Sequence, residues 1–506
     1  MLLWLAEDQL VDIIGQVPRK SRRGIWASCS LLRRLSLAVL GTDLDLHHEQ
    51  VDAFLMAMAG HNVVITGGAG TGKSHLLRAI ITNMPKSGLC VTASTGAAAA
   101  LVGGTTLHSA LGLGLGKQSV NGILHNLRDK YDTRNRLLDM QTLIVDEAFM
   151  LDAAIFDKAG GVLGNGQVMF ARRGTSHFSQ LMASAASQNP PPFGQTQVIL
   201  CGDGLQLPPV SAADCGFVFE SKAFNKLGFK IKVLKQVHRQ ADVAFSNVLN
   251  RIRVGQAAQA DVDYLLANSS PGPVEDAIQL FCTNAPADAL NDARLRALQS
   301  RLHSFHALDT SSLTMPVDRL DALLAHCPAP KLLLLKVGAR VVCLRNLNNG
   351  IFNGSLGTVV SIEPSTHTPD GRVSTVSIRV CFDGVFGHPP VTHTFTTIES
   401  GANKAAEIPV TWTFTIEQMK KKVAQRVQIP LKLAWAISVH KSQGMSLASA
   451  NVDLTGVFES GQAYTALSRL RSLDRAHFKN LRLRTVGAVN RTALKFYHSV
   501  DPDAVP

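Results

Sequence analysis

The sequence predicts an α/β fold, and three observations carry that prediction. Asn62-Val63-Val64-Ile65-Thr66 is a short β-branched run that feeds a glycine loop and then a helical pattern through Leu76, Leu77, Ile80 and Ile81. Thr142-Leu143-Ile144-Val145 is a second apolar run, which gives way abruptly to Asp146-Glu147. A third, Gln197 to Cys201, delivers Gly202-Asp203-Gly204-Leu205-Gln206-Leu207-Pro208-Pro209-Val210. Buried strands that alternate with helical periodicity and end in polar groups belong to a sheet with helices on both faces.

The first element is the most specific. Gly67-Gly68-Ala69-Gly70-Thr71-Gly72-Lys73-Ser74 is a complete phosphate-binding loop, G-x-x-x-x-G-K-S, in the strand–loop–helix setting that confirms such a motif. Glycines at Gly67, Gly70 and Gly72 let backbone N–H groups turn inward around phosphate oxygens, and the helix N-terminus adds the positive end of its dipole. Thr71 belongs to the same cradle. Lys73 is expected to bridge the β and γ phosphates of ATP, and Ser74 to ligate Mg2+.

The acidic pair supplies the second half of the site. Standing alone, Asp146-Glu147 also reads as two acids that begin a helix after a strand. With the phosphate loop upstream, Asp146 is expected to hold the magnesium and Glu147 to orient and deprotonate the attacking water. In the third element, a polar pair stiffened by two prolines suits a sensor of the γ phosphate, and Gln206 is the candidate. Asp203 reads equally as a solvated turn residue.

Length and composition set the bounds around these motifs. A chain of 506 residues favours three or four folding units. With 46% hydrophobic and 17% charged residues it has enough apolar material for sizeable cores, which argues against extensive disorder. The excess of 50 Lys and Arg over 38 Asp and Glu, +12 in all, suits a polyanion such as nucleic acid. Eight cysteines without a C-x-x-C pair read as reduced thiols, not as a disulfide framework or a zinc site. No apolar run approaches the ~20 residues of a membrane span, so a soluble protein with no membrane partner is expected.

Taken in order, these elements resemble a superfamily-one helicase, and further strings resemble the Pif-one family of DNA helicases in particular. Leu46-His47-His48-Glu49-Gln50 is similar to the family's adenine-reading segment, which makes Gln50 the partner of the base. Val91 to Ala99 and Gly103-Gly104-Thr105-Thr106-Leu107-His108-Ser109 resemble its single-strand-contacting motifs, which places Thr106 and His108 near DNA. Leu234-Lys235-Gln236-Val237-His238-Arg239-Gln240 resembles the segment that brings an arginine to the nucleotide. Leu280-Phe281-Cys282-Thr283-Asn284, with Asn284 as a DNA contact, continues the order. Ala434 to Leu447 is the strongest single string; it contributes His440, Lys441 and Ser442 toward DNA and Gln443 toward nucleotide. Gly461 to Arg469 follows it.

The resemblance runs from about residue 46 to 475 and implies two RecA-like P-loop NTPase domains with a small inserted β-barrel. It also implies a motor that moves 5′ to 3′ on single-stranded and forked DNA, with Arg239 and Arg469 offsetting charge on the transferring phosphoryl group. Domain bounds of 46–226, 227–480 and, for the barrel, 335–428 follow, the last supported by short alternating Val, Thr and Ser runs. Residues 1–45 read as a helical extension, either F-box-like and open to adaptor contacts or a targeting segment. Residues 481–506 read as a tail. Family members act in repair, recombination, telomere upkeep and replication, in nucleus and mitochondrion, and the nucleus is the first expectation. A RecD-like or transposon-derived helicase, and a catalytically idle adaptor, are the alternatives.

Three departures stand out from the pattern. Phe149 occupies a customary serine position, and Gly204-Leu205 replaces an aromatic pair. The stretch from Ala159 to Pro191, with Gly160, Gly161, Gly164 and Gly166, is expected to be a loop.

Overall fold

Each apolar run read from the sequence is a strand of one parallel sheet. In the computed structural model β1 is Val63–Gly67, β2 Leu89–Ala93, β3 Thr105–Thr106, β4 Thr142–Asp146, β5 Gln197–Gly202 and β6 Lys230–Leu234. They lie in the order β3-β2-β4-β5-β1-β6, every neighbouring pair parallel. The central strands β1 and β4 are buried almost throughout, as near-continuous apolar runs require when both faces of a sheet are covered. One face packs on Phe54, Leu76, Leu77 and Ile80, from helices α1 (His48–Met58) and α2 (Lys73–Asn83). The other packs on Phe156, Val162 and Leu163 of α3 (Ala153–Phe170) and on Phe193.

The structure describes residues 46–501 except 115, 117, 129, 171–189, 210–214, 239–241, 312–315, 325–326, 328, 346, 348–350, 352–354, 366–374, 384–388, 399–412, 419–420 and 446. The expectations for residues 1–45 and for Arg239 therefore lie outside the described residues. Among the described residues, 46–128, 132–256 and 488–501 form one compact unit and 257–487 a second. No helix among them is long and apolar enough to cross a membrane.

Two expected bounds are corrected. Residues 227–256 belong with the first unit because β6 pairs with β1 over five positions, from Val63 opposite Lys230 to Gly67 opposite Leu234. Helix α4 (Val243–Arg253) follows it, capped by Asp242, whose carboxylate accepts from Ala244 N and Phe245 N. Residues 481–501, expected as a tail, are folded. Helix α5 (Arg491–Val500) returns to the first unit and buries Ala493 and Tyr497 in its core.

A third correction concerns the glycine-rich stretch, since residues 159–170 are helical. Glycine there reflects close packing. A Cβ on Gly160 would stand 2.9 Å from Phe193 Cε2, and one on Gly164 would stand 2.4 Å from the carbonyl oxygen of Pro191. Each glycine costs the helix about 1 kcal/mol against alanine, and the approach of the 191–194 turn outweighs that preference. A Gly164→Ala variant is therefore expected to lose roughly 1–3 kcal/mol through overpacking, although alanine is the better helix former. Urea denaturation reads the difference, and a stabilised variant would show that the contact yields freely.

The second unit holds a four-stranded parallel sheet, ordered Ala436–Ser438, Ile278–Phe281, Ala450–Asp453, Ala476–Lys479. The strands expected over 335–428 are antiparallel. Val391–Ile398, Thr375–Phe382, Leu356–Ser365, Arg340–Cys343 and Leu431–Leu433 make one sheet in that order, with a core of Phe305, Val341, Ile378, Val380 and Phe382. Among the described residues its two end strands do not pair. Thr413–Gln418 pairs instead with Lys421–Val427, which pairs on its other side with Leu308–Thr310.

Candidate active site

Parallel strands deliver their C-terminal ends to one edge of the sheet, and three of those ends carry the chemistry. β1 enters the phosphate loop, β4 ends on Asp146, and β5, which lies between them in the sheet, ends on Gly202 before Asp203. Ligands of open α/β sheets bind at this edge.

The loop after β1 is built by glycine conformation. Gly67, Gly70 and Gly72 have φ of 148°, 81° and 81°, a region that side chains rarely adopt. A Cβ on Gly67 would stand 2.3 Å from Leu234 O, and one on Gly72 2.2 Å from Gln50 Nε2. Thr71 is buried, its hydroxyl donating to Gly68 O at 2.9 Å. Lys73 opens α2 and donates from Nζ to the carbonyls of Gly67 (2.9 Å) and Gly68 (2.8 Å). Burial pulls its ammonium below the ordinary lysine range, against the opposing pull of Asp203. Ser74 beside it is exposed.

At the end of β4, burial and then the neighbouring Glu147 push the Asp146 carboxyl up to about 7. A cation beside it would favour the charged form. Glu147 adopts φ of 48°, left-handed for a residue with a side chain, and its N–H donates to Asp146 Oδ1 at 2.9 Å. Such a conformation costs roughly 1–3 kcal/mol and persists where the surroundings fix it. The glycine cradle, the lysine at the helix start, and the hydroxyl and carboxylate of Ser74 and Asp146 together fit a nucleoside triphosphate with magnesium.

The loop after β5 departs from the solvated turn that Asp203 also suggested, since Asp203 is 2% exposed and Gln206 5%. Asp203 forms a bidentate pair with Arg253 at the end of α4, with Nη2 2.8 Å from Oδ1 and Nε 3.1 Å from Oδ2. Burial alone would raise the Asp203 carboxyl, but Arg253, together with Lys73 and the Leu205 N–H, outweighs it, so the net shift is downward. Gln206 Nε2 lies 3.5 Å from Asp203 Oδ2, and its backbone N–H donates to Asp203 O. The two unusual residues of this region compensate each other. A Cβ on Gly204 would stand 2.9 Å from Phe149 Cδ1, so the Phe149 ring occupies the space that a larger residue at 204 would need.

Other candidates are placed as follows. Gln50 is buried against the loop, its Oε1 accepting from His47 N at 2.9 Å and its Nε2 donating to Thr71 O at 3.3 Å. Thr106 caps a short helix by accepting from Ser109 N, and burial lowers the neighbouring His108 below the ordinary histidine range.

The remaining candidates belong to the second unit. Asn284 accepts from Ser438 Oγ at 2.9 Å, and His440 pairs with Glu459 at 3.0 Å. Burial, then Lys432, lowers Lys441 to about 8. Gln443 and Arg469 are largely buried, with Arg469 Nε donating to Thr465 O at 3.0 Å. Ser442 is fully buried and its hydroxyl donates to Val439 O at 2.7 Å. Arg253 was missed by sequence reading. Its local signal, a basic residue in the last turn of an amphipathic helix, is shared by many solvated arginines.

A family model described as PIF1-like helicase matches residues 45–263, and one described as DNA helicase Pif1, 2B domain, matches 318–362. ATP-dependent DNA helicase PIF1 of Mus musculus is 36% identical over 446 residues, 87% of this chain and 60% of that protein. The Homo sapiens protein of the same name is 35% identical over 88% of this chain and 62% of its own length. The chain thus spans about 60% of the length of the curated relatives it matches. Among solved structures, Pif1 helicase from Candida albicans superposes with a TM-score of 0.75 at 30% identity, covering 90% of this chain and 99% of that one. Bacteroides Pif1 bound to ssDNA gives a TM-score of 0.65 at 26% identity, covering 92% and 99%. With the RecA-like sheet, the phosphate loop and the acidic strand end all present, this chain belongs to the family of PIF1-like helicases.

Proposed function

We propose that this chain is an ATP-driven motor that moves 5′ to 3′ on single-stranded DNA and separates duplex strands. The observation that carries the reading is the convergence of Lys73, Asp146-Glu147 and the Asp203–Gln206 loop at one sheet edge. Relatives of the same fold are described as bound to ssDNA and, in another structure, as unwinding forked dsDNA. The positive charge of the chain agrees with a polyanionic track.

In this reading the glycine loop and Lys73 hold the phosphates, while Ser74 and Asp146 hold magnesium, which when bound offsets phosphate charge. Glu147 takes the proton of the attacking water. Gln206 senses the terminal phosphate, Gln50 and Gln443 contact the nucleotide, and Arg239 and Arg469 offset charge on the transferring group. Thr106, His108, Asn284, His440 and Lys441 contribute the DNA track, chiefly through backbone contacts. The biological setting is genome maintenance, at forks, telomeres or repair intermediates, with the nucleus the first compartment.

Steady-state ATP hydrolysis is expected to rise strongly with single-stranded DNA, and the stimulation to weaken steeply between about 50 and 200 mM salt. Hydrolysis indifferent to DNA would overturn the motor reading, and no hydrolysis above a Lys73→Ala control with single-stranded DNA present would favour a catalytically idle adaptor.

A further inference from the structure

The phenol of Tyr497 joins three segments that are far apart in the sequence, at Thr66, at Asp203-Gly204 and on its own helix. It is fully buried on α5. Its oxygen donates to Asp203 Oδ1 at 3.2 Å and accepts from Gly204 N at 3.1 Å, and it bonds Thr66 Oγ1. A phenol has one proton and two lone pairs. With the proton committed to Asp203, Thr66 is the donor in the third bond, and every hydrogen-bonding position of the oxygen is used. Burial, then the charge of Asp203, raises the phenol above the ordinary tyrosine range, so it remains a donor.

The ring is held as firmly as the oxygen. Arg253 lies over its face, Cζ 4.7 Å from the centroid. The preceding residue, Phe496, stacks on Phe219 with centroids 4.2 Å apart and planes within 10°. One turn on, Asp501 pairs with Lys235 at 2.9 Å, and Lys235 and Gln236 donate their backbone N–H groups to Glu49 Oε2. Helix α5 therefore fastens to the sensor loop, to the strand that feeds the phosphate loop and to the segment after β6.

We infer that Tyr497 is a positioning residue of the ATP-hydrolysing site, fixing the Asp203–Gln206 loop against Thr66, the residue immediately before the phosphate loop. The inference rests on the proposed ATPase reading. The partners of the phenol are Asp203, Gly204 and Thr66, so it sets the distance between a loop that senses the terminal phosphate and the loop that holds it. Losing the hydroxyl leaves Gly204 N–H and Thr66 Oγ1 without their shared partner and lets the sensor loop drift, while the glycine cradle that binds ATP is untouched.

The experiment is the DNA-stimulated ATPase of the full chain carrying Tyr497→Phe, which keeps the ring over Arg253 and removes only the oxygen. The expected result is a kcat lowered roughly tenfold, with KM for ATP and the melting temperature little changed. A purely structural role would lower the melting temperature and leave kcat per folded molecule at the wild-type value; that result overturns the inference. Thr66→Val removes the hydroxyl that meets the phenol from the opposite side, so it is expected to lower kcat in the same way. Full activity in Thr66→Val overturns the inference even where Tyr497→Phe yields no folded protein. A wild-type chain that hydrolyses no ATP overturns the ATPase reading itself, and the positioning role falls with it.

Discussion

A Glu147→Gln variant is expected to bind ATP as the wild type does and to hydrolyse it about 10²–10⁴-fold more slowly, the range that removal of a general base produces. The amide matches the carboxylate in shape, so the left-handed backbone at 147 and the bond from its N–H to Asp146 Oδ1 are undisturbed. What disappears is the group that can take a proton. Lys73→Ala provides the contrast, since removing the ammonium at the start of α2 is expected to weaken nucleotide binding itself. Binding of a fluorescent ATP analogue and steady-state hydrolysis with saturating single-stranded DNA separate the two effects. Hydrolysis by Glu147→Gln within a few-fold of wild type would assign the base to another residue.

How much of this site was legible in the sequence depended on how local each part is. The phosphate loop and the Asp146-Glu147 strand end are contiguous strings whose order of strand, turn and polar residues is itself the signal, and both are where the motifs put them. Residues 159–170 failed because glycine was weighed by propensity, whereas the helix is fixed by contacts to Pro191 and Phe193 that only the fold brings near. Phe149 and Gly204 each read as a departure alone and as complementary shapes together. Asp203 looked like a turn residue because its partners are remote, Arg253 50 positions away and Tyr497 294. Long-range pairing of buried polar groups leaves no local pattern to find, so the ring of residues behind the sensor loop emerged only from the structure.

Arg253→Ala is expected to destabilise the first unit by about 3–5 kcal/mol, the usual consequence of removing one partner from a buried ion pair. Side-chain exposures of 5% for Arg253 and 0% for Asp203 leave little solvent to screen the charge left behind. At about 2–4 °C per kcal/mol for a unit of this size, the melting temperature should fall by roughly 6–20 °C.

The pH dependence has a definite sign. In the wild type, Asp203 titrates below its ordinary value in the folded chain, so the pair contributes fully above the unfolded carboxyl pKa of about 4 and is lost as pH falls through the lower folded value. Without Arg253 the largest opposing influence is gone, and burial is expected to raise the folded carboxyl against the weaker pull of Lys73 and the Leu205 N–H. That contribution reverses, because the variant gains relative stability as the buried acid takes up a proton. The stability deficit should therefore be largest near neutral pH and shrink toward pH 5 in paired urea titrations; a deficit independent of pH would mean that lost packing over Tyr497 dominates. Combining Arg253→Met with Asp203→Asn removes the stranded charge and is expected to recover most of the stability. It should not recover hydrolysis, since the Asp203 charge that pulls on Lys73 is then gone.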